Sequence, residues 1–166
     1  MGVGEKVENQ DFPEVVLEWL LIHPAIVSIE LQPPQSLRLA FFVRGLLDTR
    51  ERSGFEEELI ASMEVLGYLL PGRNQSIKVE WLAAEGLSMI VLHVAGIPER
   101  RTVGLWVAIL KRRFEQRLLE DGEVVEGPVL RIGTGMNRPL HGKTGTSIVA
   151  FRAEGGLRVY HYGCDK

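Results

Sequence analysis

A chain of 166 residues, 45% hydrophobic and 25% charged, has enough apolar side chain for one sizeable core and too little net charge for a disordered segment. The formal net charge of −3 argues against a dedicated nucleic-acid binder, which carries a basic excess. The single cysteine, Cys164, excludes an intrachain disulfide framework, and no apolar run approaches the length of a membrane span.

Residues 1–10 are polar and lack the apolar core of a secretion signal; they read as a flexible start to one globular domain, and the compartment as cytoplasmic. Asp11-Phe12-Pro13-Glu14 then has the form of a helix N-terminus, with Val16, Trp19, Leu20 and His23 on one side and Pro24 as the stop. Alternation along 25–31 and again along 36–44, around Gln32-Pro33-Pro34-Gln35, predicts a hairpin with a wet face at Ser36, Arg38, Ala40 and Arg44.

Ser53-Gly54-Phe55-Glu56 reads as a capping box for a second helix whose stripe is Phe55, Leu59, Met63, Leu66 and Leu70, ended by Pro71-Gly72. A second hairpin follows, Ile77–Trp81 and Leu87–Ala95, turning at Ala84-Glu85-Gly86. Its return strand is apolar on both faces, as in a central strand or one covered on its second side. Pro98 opens a third helix with the clearest stripe, Val103, Trp106, Val107, Leu110, Phe114 and Leu118, ended by Asp121-Gly122. Val129–Ile132 reads as a short strand. The close is a third hairpin, Ser147–Arg152 and Leu157–Tyr162, turning at 154–156.

The order α-ββ-α-ββ-α-β-ββ predicts an α+β fold, a mostly antiparallel sheet with helices packed on one face. Residues 37–132 have the ferredoxin-like βαββαβ order, which makes the N-terminal helix and strand and the C-terminal hairpin decorations. No internal repeat, linker or low-complexity segment divides the chain.

Chemistry concentrates in the glycine-rich tract 133–147. Four glycines free its backbone N–H groups; Arg138, Lys143 and the preceding Arg131 bring positive charge; Thr144, Thr146 and Ser147 bring hydroxyls. That is the composition of an anion cradle, with Arg131, Arg138, His141, Lys143, Thr144 and Ser147 as candidate ligand-binding residues; the simpler alternative is a loop that binds nothing. Gly142-Lys143-Thr144 is not a P-loop: the position that needs the first glycine is Asn137, and Ile148–Arg152 alternates like a strand where a helix is required. Lys143-Thr144-Gly145 resembles the Lys-Thr-Gly box of penicillin-binding proteins, but no serine here has lysine three residues later to act as nucleophile, so no function is carried over.

The four histidines, His23, His93, His141 and His161, are scattered. His161-x-x-Cys164, joined by His93 from a neighbouring strand, is too thin a set for a metal, so no metal or other cofactor is expected. His93 reads as a semi-buried histidine with a hydrogen-bond partner, and His23 as a helix-end residue where partial positive charge is favourable. Arg100, Arg101, Lys111, Arg112, Arg113 and Arg117 make a basic face on the third helix, but interleaved acids favour an ion-paired surface over an RNA contact. Glu56-Glu57-Glu58 reads as first-turn acids of the second helix.

Catalysis needs convergent groups, and one loop does not supply them. The sequence therefore favours a non-enzymatic binding or interaction protein that self-associates as a homodimer through its sheet or an edge strand, prompted by the two-sided strand 87–95. The alternative is a small enzyme or binding protein for a phosphate- or carboxylate-bearing molecule held by the 133–147 loop, with His141 as acid or base and no membrane or nucleic-acid partner.

Overall fold

Period-two alternation along six segments builds one antiparallel sheet. The computed structural model describes residues 12–32, 36–70, 75–120, 146–153 and 156–163. In chain order the elements are α1 (Phe12–Ile22), β1 (Ser28–Gln32), β2 (Ser36–Arg44), α2 (Thr49–Leu69), β3 (Ile77–Ala84), β4 (Leu87–Ala95), α3 (Arg100–Phe114), a 3-10 turn (Glu115–Arg117), β5 (Thr146–Ala153) and β6 (Gly156–Gly163). The strands lie in the order β3-β4-β2-β1-β5-β6, and every neighbouring pair is antiparallel. The α+β expectation holds, and the C-terminal hairpin is where the alternation put it.

All three helices cover the same face. Leu37, Leu39, Phe41 and Val43 of β2 and Ile90, Leu92 and Val94 of β4 form one cluster with Trp19 and Leu20 of α1, Phe55 and Leu59 of α2, and Val103, Trp106 and Leu110 of α3. Helix and strand lengths match: 21 residues of α2 and nine of β4 each span roughly 30 Å.

Several expectations are corrected. α2 begins earlier than the Ser53–Glu56 box. Asp48 caps it, its carboxylate accepting the Glu51 N–H at 2.8 Å while the Glu51 carboxylate accepts the Asp48 N–H at 3.1 Å. The same Ser/Asp-x-x-Glu signature thus occurs twice, and the upstream copy wins because Asp48 sits in extended backbone while residue 53 is already helical. Glu56, Glu57 and Glu58 consequently lie beyond the first turn. Second, the outer face of β2 is not wet along its length: Ala40 and Phe42 are buried with Met89, Val91 and Leu119 in a second cluster on the side away from the helices. That explains why β4 is apolar on both faces.

Third, α3 stops at Phe114 rather than running to Asp121. Glu115 takes φ 42° and ψ −118°, which breaks the helix. Leu118, read as the last member of the helical stripe, instead bridges Val43 antiparallel, and the Leu119 N–H donates to the Phe42 carbonyl at 2.9 Å. This bears on topology. The order β3-β4-β2, with α2 joining β2 to β3, matches three of the four strands of a ferredoxin-like sheet and does not by itself establish that fold. The remaining edge of β2 is shared between β1, along residues 36–40, and the Leu118–Leu119 bridge. β1 is therefore a central strand, not a decoration, and 129–132, the expected last strand of the 37–132 core, lies outside the described residues. β1 is also shorter than read: Pro24 and Ala25 form a turn that buries Ala25 and Ile26 before the strand starts.

Candidate functional site

Five of the six sequence candidates, Arg131, Arg138, His141, Lys143 and Thr144, lie outside the described residues. Ser147 lies in β5, paired with Tyr162 of β6. A strand, not a helix, follows Gly142-Lys143-Thr144, which agrees with rejecting a P-loop.

The described residues place charge elsewhere, along the open end of the sheet near β3. In β3, Ile77, Val79 and Trp81 pack toward the helical cluster, so alternation sends Lys78, Glu80 and Leu82 to the opposite face. There Glu80 meets the His93 ring Nε2 at 2.6 Å and lies 3.7 Å from the Arg38 guanidinium; Arg38 in turn donates to Glu30 at 3.0 Å, and Gln32 donates to Glu30 at 2.6 Å. The row crosses β3, β4, β2 and β1. The expected partner of His93 is thus Glu80. The row escaped sequence reading because its members come from four strands. Only the pairing register, Glu30 with Arg38, Arg38 with His93, and His93 with Lys78, brings them together.

β3 is itself an edge. Among the described residues it pairs only with β4. Its hairpin turns through two residues, Glu85 and Gly86, at φ 42° and 81°, and a positive φ at both is what a tight two-residue turn with strand-matching twist requires. In such a hairpin the pair flanking the turn, Ala84 and Leu87, exchanges both hydrogen bonds, and every second pair does the same. The even-numbered residues of β3 therefore bond inward to β4, as the Ala95 N–H to Ser76 carbonyl bond of 3.1 Å also shows, and the backbone of Ile77, Val79 and Trp81 faces outward. Trp81 fastens this edge to α2: its ring meets Phe55 edge-on at 5.7 Å, its Nε1–H donates to Glu56 at 2.5 Å, and the Arg52 guanidinium lies 5.8 Å from its centre.

The basic face of α3 is largely ion-paired, with one interleaved acid, Glu120, and acids of α1 and α2 as the partners. Arg100 pairs with Glu18, Lys111 with Glu120, Arg112 and Arg113 with Glu58, and Arg117 with Glu51. A shallow depression between α2 and α3, lined by Gly54, Glu57, Glu58, Arg112 and Arg113, is occupied by these pairs; Arg113 also donates to the Gly54 carbonyl at 2.7 Å. Its charges are already matched, so it offers no cradle for an anion.

His93 lies on β4 and His161 on β6, four strand positions apart, or roughly 19 Å at ordinary spacing. The strand of His93 is therefore not a neighbour of the strand of His161, and Cys164 and His141 lie outside the described residues. Among the described residues no group of three or more His, Cys, Asp or Glu side chains is arranged to hold a metal ion. His23 also differs from expectation. It follows α1, but it packs against α3, where burial, then Lys111, then Arg100 hold its imidazole below the ordinary value and disfavour the charge that the helix end was expected to favour. No helix of the described residues is long and apolar enough to cross a membrane.

Compared with known proteins, the chain matches no family model, and no curated protein or solved structure matches it.

Proposed function

We propose that this chain is a non-enzymatic interaction module that binds by adding a strand to the β3 edge of its sheet. One observation carries this reading: the outward backbone of Ile77, Val79 and Trp81 belongs to an edge strand whose eight residues run in unbroken register with β4. Natural edges are commonly blunted by proline, a bulge, shortness or charged side chains. Residues 77–84 have no proline, bulge or truncation, and their two charges, Lys78 and Glu80, are of opposite sign, so they select a partner strand rather than repel every one. Strand addition uses such a template: main-chain bonds supply affinity and alternate side chains supply selectivity. Trp81, held by Phe55, Glu56 and Arg52, keeps the template in place. The sheet face is the weaker candidate for contact, because Phe42, Met89 and Val91 are already buried within one chain.

The test is a fluorescence-anisotropy titration of dilute protein into a labelled peptide carrying residues 76–82. Saturable binding is expected for the natural sequence. Val79→Pro removes an N–H that the β3–β4 ladder does not use, so it is expected to abolish binding while leaving the fold intact. Absence of binding by the natural sequence, or equal binding by the proline variant, contradicts the proposal.

A further inference from the structure

Resting on that reading, we infer that the strand added to β3 is β3 of a second copy of this chain, antiparallel, with a two-fold axis through Val79. Two copies related in this way must pair residues whose numbers have a constant sum, and only outward-facing residues can exchange hydrogen bonds. Charge then selects among the allowed axes. An axis at residue 78 sets Lys78 against Lys78, and one at residue 80 sets Glu80 against Glu80. An axis at residue 77 or 81 leaves Lys78 and Glu80 without opposite charges across the seam. With the axis at Val79, Lys78 of each copy lies directly opposite Glu80 of the other, twice, on the open face. These are non-hydrogen-bonded positions, where opposed side chains approach most closely.

The other face agrees. Ile77, Val79 and Trp81 pack against the helical cluster but are only partly buried. The same axis sets Ile77 of one copy against Trp81 of the other and Val79 against Val79, completing an apolar row across the seam. The product is a continuous twelve-stranded sheet, twice the six strands of one copy. Seven paired residues make an interface at the low end of specific contacts, roughly below 1,200 Å² in total, so dissociation constants on the order of 10 μM to 1 mM are expected.

Sedimentation velocity from about 10 μM to about 1 mM reads the association. A concentration-dependent shift from monomer to dimer is expected. Lys78→Glu or Glu80→Lys alone is expected to weaken it tenfold or more, and an equimolar mixture of the two variants to associate again, because every seam contact is then between opposite charges. Register is read separately by disulfide trapping in a Cys164→Ser background: Val79→Cys is expected to form a covalent dimer on mild oxidation, and Ile77→Cys is not, since residue 77 meets residue 81. A monomer throughout the concentration range overturns the inference, as does trapping at 77 rather than 79. If the protein is monomeric yet still binds the 76–82 peptide, strand addition stands and the second copy falls. If the peptide also fails to bind, both fall.

Discussion

Replacing Met63 by leucine should cost more than its small change in shape implies. Trp106 is fully buried, and its indole Nε1–H donates to the Met63 sulfur at 3.1 Å. Leucine keeps the volume but removes the acceptor. A volume-conserving Met-to-Leu change in a core usually costs less than about 1.5 kcal/mol. Leaving a buried donor unsatisfied costs about 1–3 kcal/mol, and because thioether sulfur is a weak acceptor the lower part of that range applies, about 1–2 kcal/mol. Met89, buried in the cluster on the other side of the sheet, is the control, since Met89→Leu changes packing alone. Urea unfolding followed by tryptophan fluorescence measures both. With a urea dependence of about 1–3 kcal/mol/M, Met63→Leu should lower the midpoint by roughly 0.3–2 M and Met89→Leu by clearly less. Equal midpoints for the two variants would refute the reasoning.

Glu115 at φ 42° and ψ −118° occupies backbone space that favours glycine, so Glu115→Gly is expected to raise stability by about 1 kcal/mol, read as a higher thermal midpoint. At Gly54 an added Cβ would lie 2.9 Å from the Arg113 Nη1, so Gly54→Ala should gain less than the full helix-propensity benefit of about 1 kcal/mol in the natural sequence and recover it in an Arg113→Ala background; a double-mutant cycle measures the difference. The folded state holds the His23 imidazole below its unfolded value of 6.5, so near that pH the unfolded chain binds more protons and stability rises with pH. Below the folded value the difference is constant; as pH rises past 6.5 the contribution is complete. His23→Gln should flatten this rise in denaturant midpoints measured across mildly acidic to neutral pH, and an unchanged slope would show that another group controls it.

How much could be read from the sequence depended on how local the determining signal was. The stripe Val103–Phe114 and the alternations of β2, β3, β4, β5 and β6 are set by side chains within a few positions of one another, and each marks its element correctly. The spacing of Leu118 continues the helical stripe, whereas Glu115, three residues upstream, turns the backbone out of the helix and hands Leu118 to the edge of β2. The start of α2 was misplaced because Asp48–Glu51 and Ser53–Glu56 carry equivalent capping signals. The central position of β1 and the Glu30–Arg38–Glu80–His93 row are matters of pairing order between distant segments, which periodicity does not encode. The anion-cradle candidates drew attention through composition alone; of them only Ser147 falls within a described element.

Residue-resolved amide exchange along β3, in dilute protein with and without the 76–82 peptide, bears most directly on the proposed edge. The amides of Lys78, Glu80 and Leu82, bonded to β4, should exchange slowly in both states, while those of Ile77, Val79 and Trp81 should exchange quickly alone and slowly with peptide. Odd-numbered amides that are already as slow as the even ones in dilute protein, or that do not respond to peptide, would contradict it.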